Sequence, residues 1–214
     1  MKNSLRSFGV GMSMAIAAAL SVPTAYGADA AAEKKASDTD QKKLAVGDQA
    51  PAWKDLVGVD DQKHSLGEHA DAKAVAVVFT CNHCPVAQAY EDRLLAIADD
   101  YQDKGVEVVA INVSNMDKDK LPAMKTRAEE KGFTFDYLYD PSQEIGRDFS
   151  ATVTPHVFLL DDDRNIAYIG AIDDNMNAEK ASKHYLRDAI DAVLAGSKPQ
   201  TDVTKPMGCG IAYE

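Results

Sequence analysis

Two rhythms of hydrophobic and polar positions run through this chain of 214 residues. Residues 74–79 (Ala-Val-Ala-Val-Val-Phe) and 106–113 are almost unbroken apolar runs rich in β-branched side chains. Runs of that length and composition read as strands covered on both faces. Between them, Val86, Ala89, Tyr90, Leu94, Ile97 and Ala98 recur near helical spacing, which predicts a helix over about 84–101. The order strand, helix, strand implies a parallel pair joined by a right-handed crossover.

The same reading places the other elements. Residues 56–66 form a short hairpin turning at Asp60-Asp61-Gln62, with Trp53, the only tryptophan, as a packing anchor before it. A charged helix is expected over 117–131, with Pro122 in its first turn. A short strand follows at 135–139 and a short helix at 141–149. Strands at 153–160 and 166–170 make a hairpin around Asp161-Asp162-Asp163-Arg164-Asn165, and a last helix is expected over 178–195. The three aspartates lack the alternating ligands, the glycine and the closing glutamate of a calcium loop, so they read as a solvated turn.

Residues 1–27 carry the marks of a secretory signal. Lys2 and Arg6 make a positive start, 10–22 is apolar and small, and Ala25-Tyr26-Gly27 offers a cleavage site. An uncleaved anchor is the alternative, but the run is short for a membrane span. Residues 28–44, Ala-rich and charged with no aromatic, read as a flexible linker. The domain is then 45–196, and 197–214 is a tail, read as flexible, that carries Cys209. A cleaved signal implies a periplasmic or secreted protein. No later segment is long enough for a membrane span. The net charge of −11 becomes more acidic by two once Lys2 and Arg6 are removed, which argues against nucleic acid or an anionic membrane as partner.

Chemistry concentrates at Cys81-Asn82-His83-Cys84, at the junction of the first core strand and the helix. Two thiols so spaced close a small disulfide ring or hold a soft metal ion, and a helix N-terminus favours a thiolate there. With only three cysteines there is no disulfide framework, so the domain rests on its core.

With that turn and the later Thr154-Pro155 entering a strand, residues 46–195 resemble the thioredoxin superfamily. The opening Val46-Gly47-Asp48-Gln49-Ala50-Pro51 points to its exported thioredoxin-like and peroxiredoxin-like redoxin branch. The resemblance implies an α/β thioredoxin-like fold, a central mixed sheet flanked by helices, with an N-terminal hairpin and an inserted helix. It implies a cis bond before Pro155, and a Thr154–Pro155 backbone that binds the substrate polypeptide. Cys81 is then the nucleophile, the more exposed thiol with the lower pKa, and Cys84 the resolving thiol. His83 either stabilises the Cys81 thiolate or points to solvent, and His156 either faces the site or is an ordinary strand residue. Cys209 has three readings: a third redox thiol, a pairing site between chains, or an inert residue.

Two departures qualify the resemblance. The peroxiredoxin Pro-x-x-x-Thr/Ser-x-x-Cys motif fits neither cysteine: counting back from Cys84 gives Cys81 and Val77, and from Cys81 gives Val78 and Ala74. The buried acid that small thioredoxins carry six residues before the first cysteine is Val75 here. A proton acceptor must come from elsewhere, or the dithiol works mainly in the oxidising direction.

The expectation is a thiol–disulfide oxidoreductase acting on protein thiols or disulfides with a separate redox partner, and with no cofactor or resident metal. A thiol peroxidase is the alternative. A Cu(I) carrier ranks third, because such carriers in this fold resemble Cys-x-x-x-Cys, one residue wider than this turn.

Overall fold

The computed structural model describes residues 43–214. The expected signal and most of the expected linker lie outside them. Among the described residues nine strands form: β1 Leu56–Gly58, β2 Lys63–His64, β3 Ala74–Thr80, β4 Val106–Asn112, β5 Asp136–Tyr139, β6 Val153–Thr154, β7 His156–Leu160, β8 Ile166–Gly170 and β9 Cys209–Gly210. Four α-helices accompany them: α1 Pro85–Tyr101, α2 Leu121–Lys131, α3 Glu144–Asp148 and α4 Tyr185–Leu194.

Seven strands make one mixed sheet in the order β2-β1-β5-β4-β3-β7-β8. The predicted pair β3 and β4 is parallel, with Val77 opposite Val109 and Thr80 opposite Asn112. β7 lies antiparallel on the other side of β3. All seven residues of β3 are buried, as an apolar run in the middle of a sheet requires.

Its side chains divide by period two. Val75, Val77 and Phe79 pack with Trp53, Ile111, Phe149 and Phe158. Ala74, Ala76 and Val78 pack with Tyr90, Leu94 and Ile97 of α1 and Leu186 and Ile190 of α4. Met124 and Ala128 of α2 close on Ala110 and Tyr137. Ala110 stands beside Val78, so α2 shares a face with α1 and α4, while Ile145 of α3 joins the cluster on the opposite face: the mixed, helix-flanked sheet expected from the resemblance.

Three expected elements are interrupted, each for a local reason. Strand 153–160 is divided by a cis Thr154–Pro155 bond into β6 and β7. The helix expected from 117 begins only at Leu121, because Pro122 has no N–H to bond back through a preceding turn. Residues Asp117–Asp119 form a separate 3-10 turn. The helix expected over 178–195 is also split, into a 3-10 turn at Ala178–Lys180 and α4. Between them the Asp174 carboxylate accepts from the Ser182 and Lys183 N–H groups and the Ser182 hydroxyl. Those bonds compete with a continuous helix.

The tail is the main correction. It was expected to be flexible, but it is pinned along its length. Thr204 N donates to Ile169 O at 2.9 Å. β9 pairs antiparallel with β6, setting Cys209 opposite Thr154. Beyond it, Ile211 N donates to Thr152 O at 3.0 Å and Tyr213 Oη to Ala151 O at 2.8 Å. Ile211 and Tyr213 pack against the core.

Candidate active site

β3 delivers the chain to Cys81 at the edge of the core, and α1 takes it away from Cys84. The turn between them is held by Asn82. Its side chain accepts from Tyr137 Oη at 2.9 Å and donates to Lys118 O at 2.9 Å, while its carbonyl accepts from Gln88 Nε2 at 2.5 Å. Pro85 stands in the first turn of α1, where its missing N–H costs nothing.

Cys84, not Cys81, is the N-cap of that helix: its Sγ accepts from Ala87 N at 3.4 Å. Cys81 and Cys84 are both buried, and both are free thiols. Cys81 Sγ lies 3.2 Å from Thr154 Oγ1, and Cys84 Sγ lies 3.1 Å from Thr154 O. The Thr154–Pro155 bond is cis. The structure thus brings the dithiol and Thr154-Pro155 together. It also brings in Cys209, whose Sγ is 2.6 Å from Cys84 Sγ.

The order of thiol acidity expected from sequence is reversed. Burial pushes the Cys81 thiol up to about 11, with the nearby Asp119 charge adding to it against the Thr154 hydroxyl. Cys84 falls below the ordinary thiol value: burial opposes ionisation, but hydrogen bonds from Cys209 and Ala87 N–H outweigh it. The Thr154 carbonyl accepts from Cys84 only while that thiol keeps its proton, so it acts against ionisation. Cys209 is raised by its hydrogen bond to Cys84 and by burial. The physical cause is position. Cys84 sulfur caps the helix and meets Ala87 N–H and the dipole, while the Cys84 backbone N–H that reaches Cys81 does not offset its burial.

His83 does not simply point to solvent. Its backbone N–H donates to Asp119 Oδ1 at 3.0 Å, and its ring Nδ1 meets Asp119 Oδ2 at 2.5 Å. Asp119 is fully buried and also accepts from Ser114 Oγ at 2.7 Å, while Asn112 Nδ2 bonds its backbone carbonyl at 2.8 Å. A buried acid thus stands near Cys81, supplied by the turn before α2. Sequence reading missed Asp119, Asn112 and Ser114. One signal was available: the parallel register sets Asn112 beside Thr80, so polar residues ending the β4 run stand next to the cysteine turn.

Cys81 Sγ, one nitrogen of His83 and one oxygen of Asp119 lie within 4.8 Å of one another. Zinc accepts such a donor set. The carboxylate already accepts from two groups of His83 and from Ser114.

His156 belongs to the core, not the site. It is 5 % exposed, its Nδ1 accepts from Thr152 N at 3.3 Å, and its ring lies 4.6 Å from that of Phe158.

A cavity of about 100 Å³ opens onto Cys81. Thr80, His83, Ser114 and Met116 line it on one side, Thr154 and the tail residues Gly210–Ala212 on the other. Cys84 is not among its walls, so an incoming group meets Cys81 first.

Two solved structures resemble the chain closely in fold. An uncharacterized conserved protein from Geobacillus kaustophilus is 32% identical, with TM-score 0.75, over 81% of this chain and 94% of that one. A hypothetical protein from Sinorhizobium meliloti is 30% identical, with TM-score 0.76, over 81% and 97%. The thioredoxin domain of a thiol-disulfide oxidoreductase from Bacteroides vulgatus shares the fold at 22% identity and TM-score 0.51, over 58% and 86%. No curated protein matches the sequence. The Redoxin family model matches residues 45–185, which include the cysteine turn, the Asp119 turn and the cis-proline strand, and the chain belongs to the Redoxin family.

Proposed function

We propose that this protein is an exported thiol–disulfide oxidoreductase that uses Cys81 and Cys84 to oxidise protein thiols in the cell envelope. One observation carries the direction: the thiol that meets the cavity is Cys81, while the thiol stabilised as an anion is Cys84. A substrate thiolate attacks Cys81 sulfur of the Cys81–Cys84 disulfide. A mixed disulfide forms at Cys81 and Cys84 leaves as thiolate, faster for its lowered pKa. A second substrate thiolate attacks the substrate sulfur of that mixed disulfide. The substrate leaves as a disulfide and Cys81 departs as thiolate. The two electrons end on the Cys81/Cys84 dithiol.

His83, its ring set by Asp119, is the nearby group that can supply a proton to the departing Cys81 sulfur. The cavity has room for one cysteinyl side chain and little more. Met116, 49 % exposed at the cavity, offers an adaptable apolar contact to an unfolded polypeptide. No helix among the described residues is long and apolar enough to cross a membrane. Export itself rests on residues 1–27.

The test is a redox titration in glutathione buffers with separate alkylation of Cys81 and Cys84, and turnover of a reduced two-cysteine peptide. The expected couple lies at about −180 mV or above, in the range of oxidants and isomerases. A couple near about −270 mV would mark a reductant and reverse the direction. Cysteines that never pair would sink the reading altogether.

A further inference from the structure

We propose that Cys209 is a third redox thiol which exchanges with the Cys81–Cys84 couple, making Cys84 the sulfur shared between two alternative disulfides. The proposal rests on the reading of Cys81 and Cys84 as a working couple.

The geometry is built rather than incidental. Cys209 and Cys84 are 125 positions apart in sequence, yet their sulfurs stand 2.6 Å apart. A disulfide forms at about 2.05 Å, so bonding asks for a small adjustment rather than a search. The tail that carries Cys209 is anchored on both sides of it. Upstream, Thr204 Oγ1 accepts from Ala171 N at 2.9 Å and meets Tyr168 Oη at 2.5 Å. Downstream, Gln143 Nε2 donates to Ala212 O at 2.9 Å, and Tyr213 lies over Gly146, where a Cβ would stand 2.7 Å from Tyr213 Oη. Between the anchors, Gly208 passes so close to β6 that a Cβ on it would stand 2.0 Å from Thr154 O. Only glycine lets the tail lie flat there. The β9–β6 pairing then fixes Cys209 opposite Thr154, whose carbonyl also touches Cys84.

The exchange balances without an outside reagent. Cys209 thiolate attacks Cys84 sulfur of the Cys81–Cys84 disulfide. The Cys84–Cys209 bond forms, the Cys81–Cys84 bond breaks, and Cys81 leaves as thiolate, taking up the proton that Cys209 gave up. No electrons are gained or lost. Run backwards, Cys81 attacks Cys84 and restores the disulfide that meets the cavity. The less buried Cys209 gives an outside oxidant a route to the couple that does not pass through the Cys81 cavity.

The test uses the full chain, oxidised with glutathione disulfide and mapped by mass spectrometry after alkylation. In Cys81→Ser, an intramolecular Cys84–Cys209 bond is expected in monomeric protein. In the wild type, both Cys81–Cys84 and Cys84–Cys209 are expected. Gly208→Ala should lift the tail and lower the Cys84–Cys209 share by about tenfold, the factor that roughly 1.4 kcal/mol of lost tail seating produces.

Cys81→Ser protein with Cys209 glutathionylated, or bonded between chains, would overturn the proposal. So would a Cys84–Cys209 share that Gly208→Ala leaves unchanged. The underlying reading is checked separately in Cys209→Ser. A Cys81–Cys84 disulfide there, together with failure in Cys81→Ser, removes the third thiol and keeps the couple. No Cys81–Cys84 disulfide in Cys209→Ser removes the couple itself.

Discussion

Asp119 grips His83 with both carboxylate oxygens, one on the backbone N–H at 3.0 Å and one on the ring at 2.5 Å. The grip fixes the residue between the two cysteines from a turn 36 positions away, and it puts a negative charge near Cys81 that raises its thiol.

Asp119→Asn removes both effects, and two readouts follow them separately. Removing the charge should lower the midpoint of Cys81 alkylation against pH, while loss of the ring partner slows peptide oxidation. The buried amide would face donors it cannot satisfy, at a cost of about 2 kcal/mol. An unmoved alkylation midpoint would show that the carboxylate does not act on Cys81.

Cys81 itself should react late. Its thiol is held at about 11, so iodoacetamide labelling of reduced protein at this residue should climb about tenfold per pH unit well past pH 9. The stability sign is the same. Folded protein keeps the proton that the unfolded chain loses near 9, so stability declines as pH rises from 9 towards 11. A labelling plateau below pH 9 would contradict the burial argument.

His156 gives the opposite limb. Burial holds its imidazole neutral down to about 4. Between pH 6.5 and 4 the unfolded chain takes up a proton that the folded chain refuses. Stability present above 6.5 is therefore lost as pH falls, by roughly 3 kcal/mol over the window. His156→Asn keeps an acceptor for Thr152 N and removes the titration. Urea midpoints of the variant should depend less on pH over this range, and an equal dependence would place the acid sensitivity elsewhere.

Arg127 ties α2 to the cysteine helix. Its Nε and NH2 groups donate to the two oxygens of Glu91, which is 6 % exposed, at 2.8 and 2.7 Å. Arg127→Met leaves that carboxylate with Lys131 at 3.4 Å. A loss of roughly 2 kcal/mol is expected, less than for a wholly abandoned buried charge. A urea midpoint equal to that of the wild type would show that Lys131 replaces the arginine in full.

The sheet was legible because its central strands are buried on both faces, and burial writes itself into composition. The runs at 74–79 and 106–113 read as strands without any partner in view. The helix 85–101 followed from spacing, and the cysteine turn from its place between them. Boundaries failed where a side chain competed with the backbone, as Asp174 does at Ser182 and Lys183.

What the sequence by itself determined was the core order of elements and the presence of two thiols at a strand–helix junction. Periodic burial and the 3-residue separation are local properties of the chain. Tertiary structure alone decided which thiol caps the helix, which buried acid holds His83, and where the tail runs. Each depends on contacts that no local pattern encodes: Asp119 reaching back 36 positions, and Cys209 brought 125 positions onto Cys84 by a strand of two residues. Acidity reversed between Cys81 and Cys84 for the same reason. A thiol's pKa is set by the N–H groups, charges and solvent around it, and those are assembled only when the chain folds.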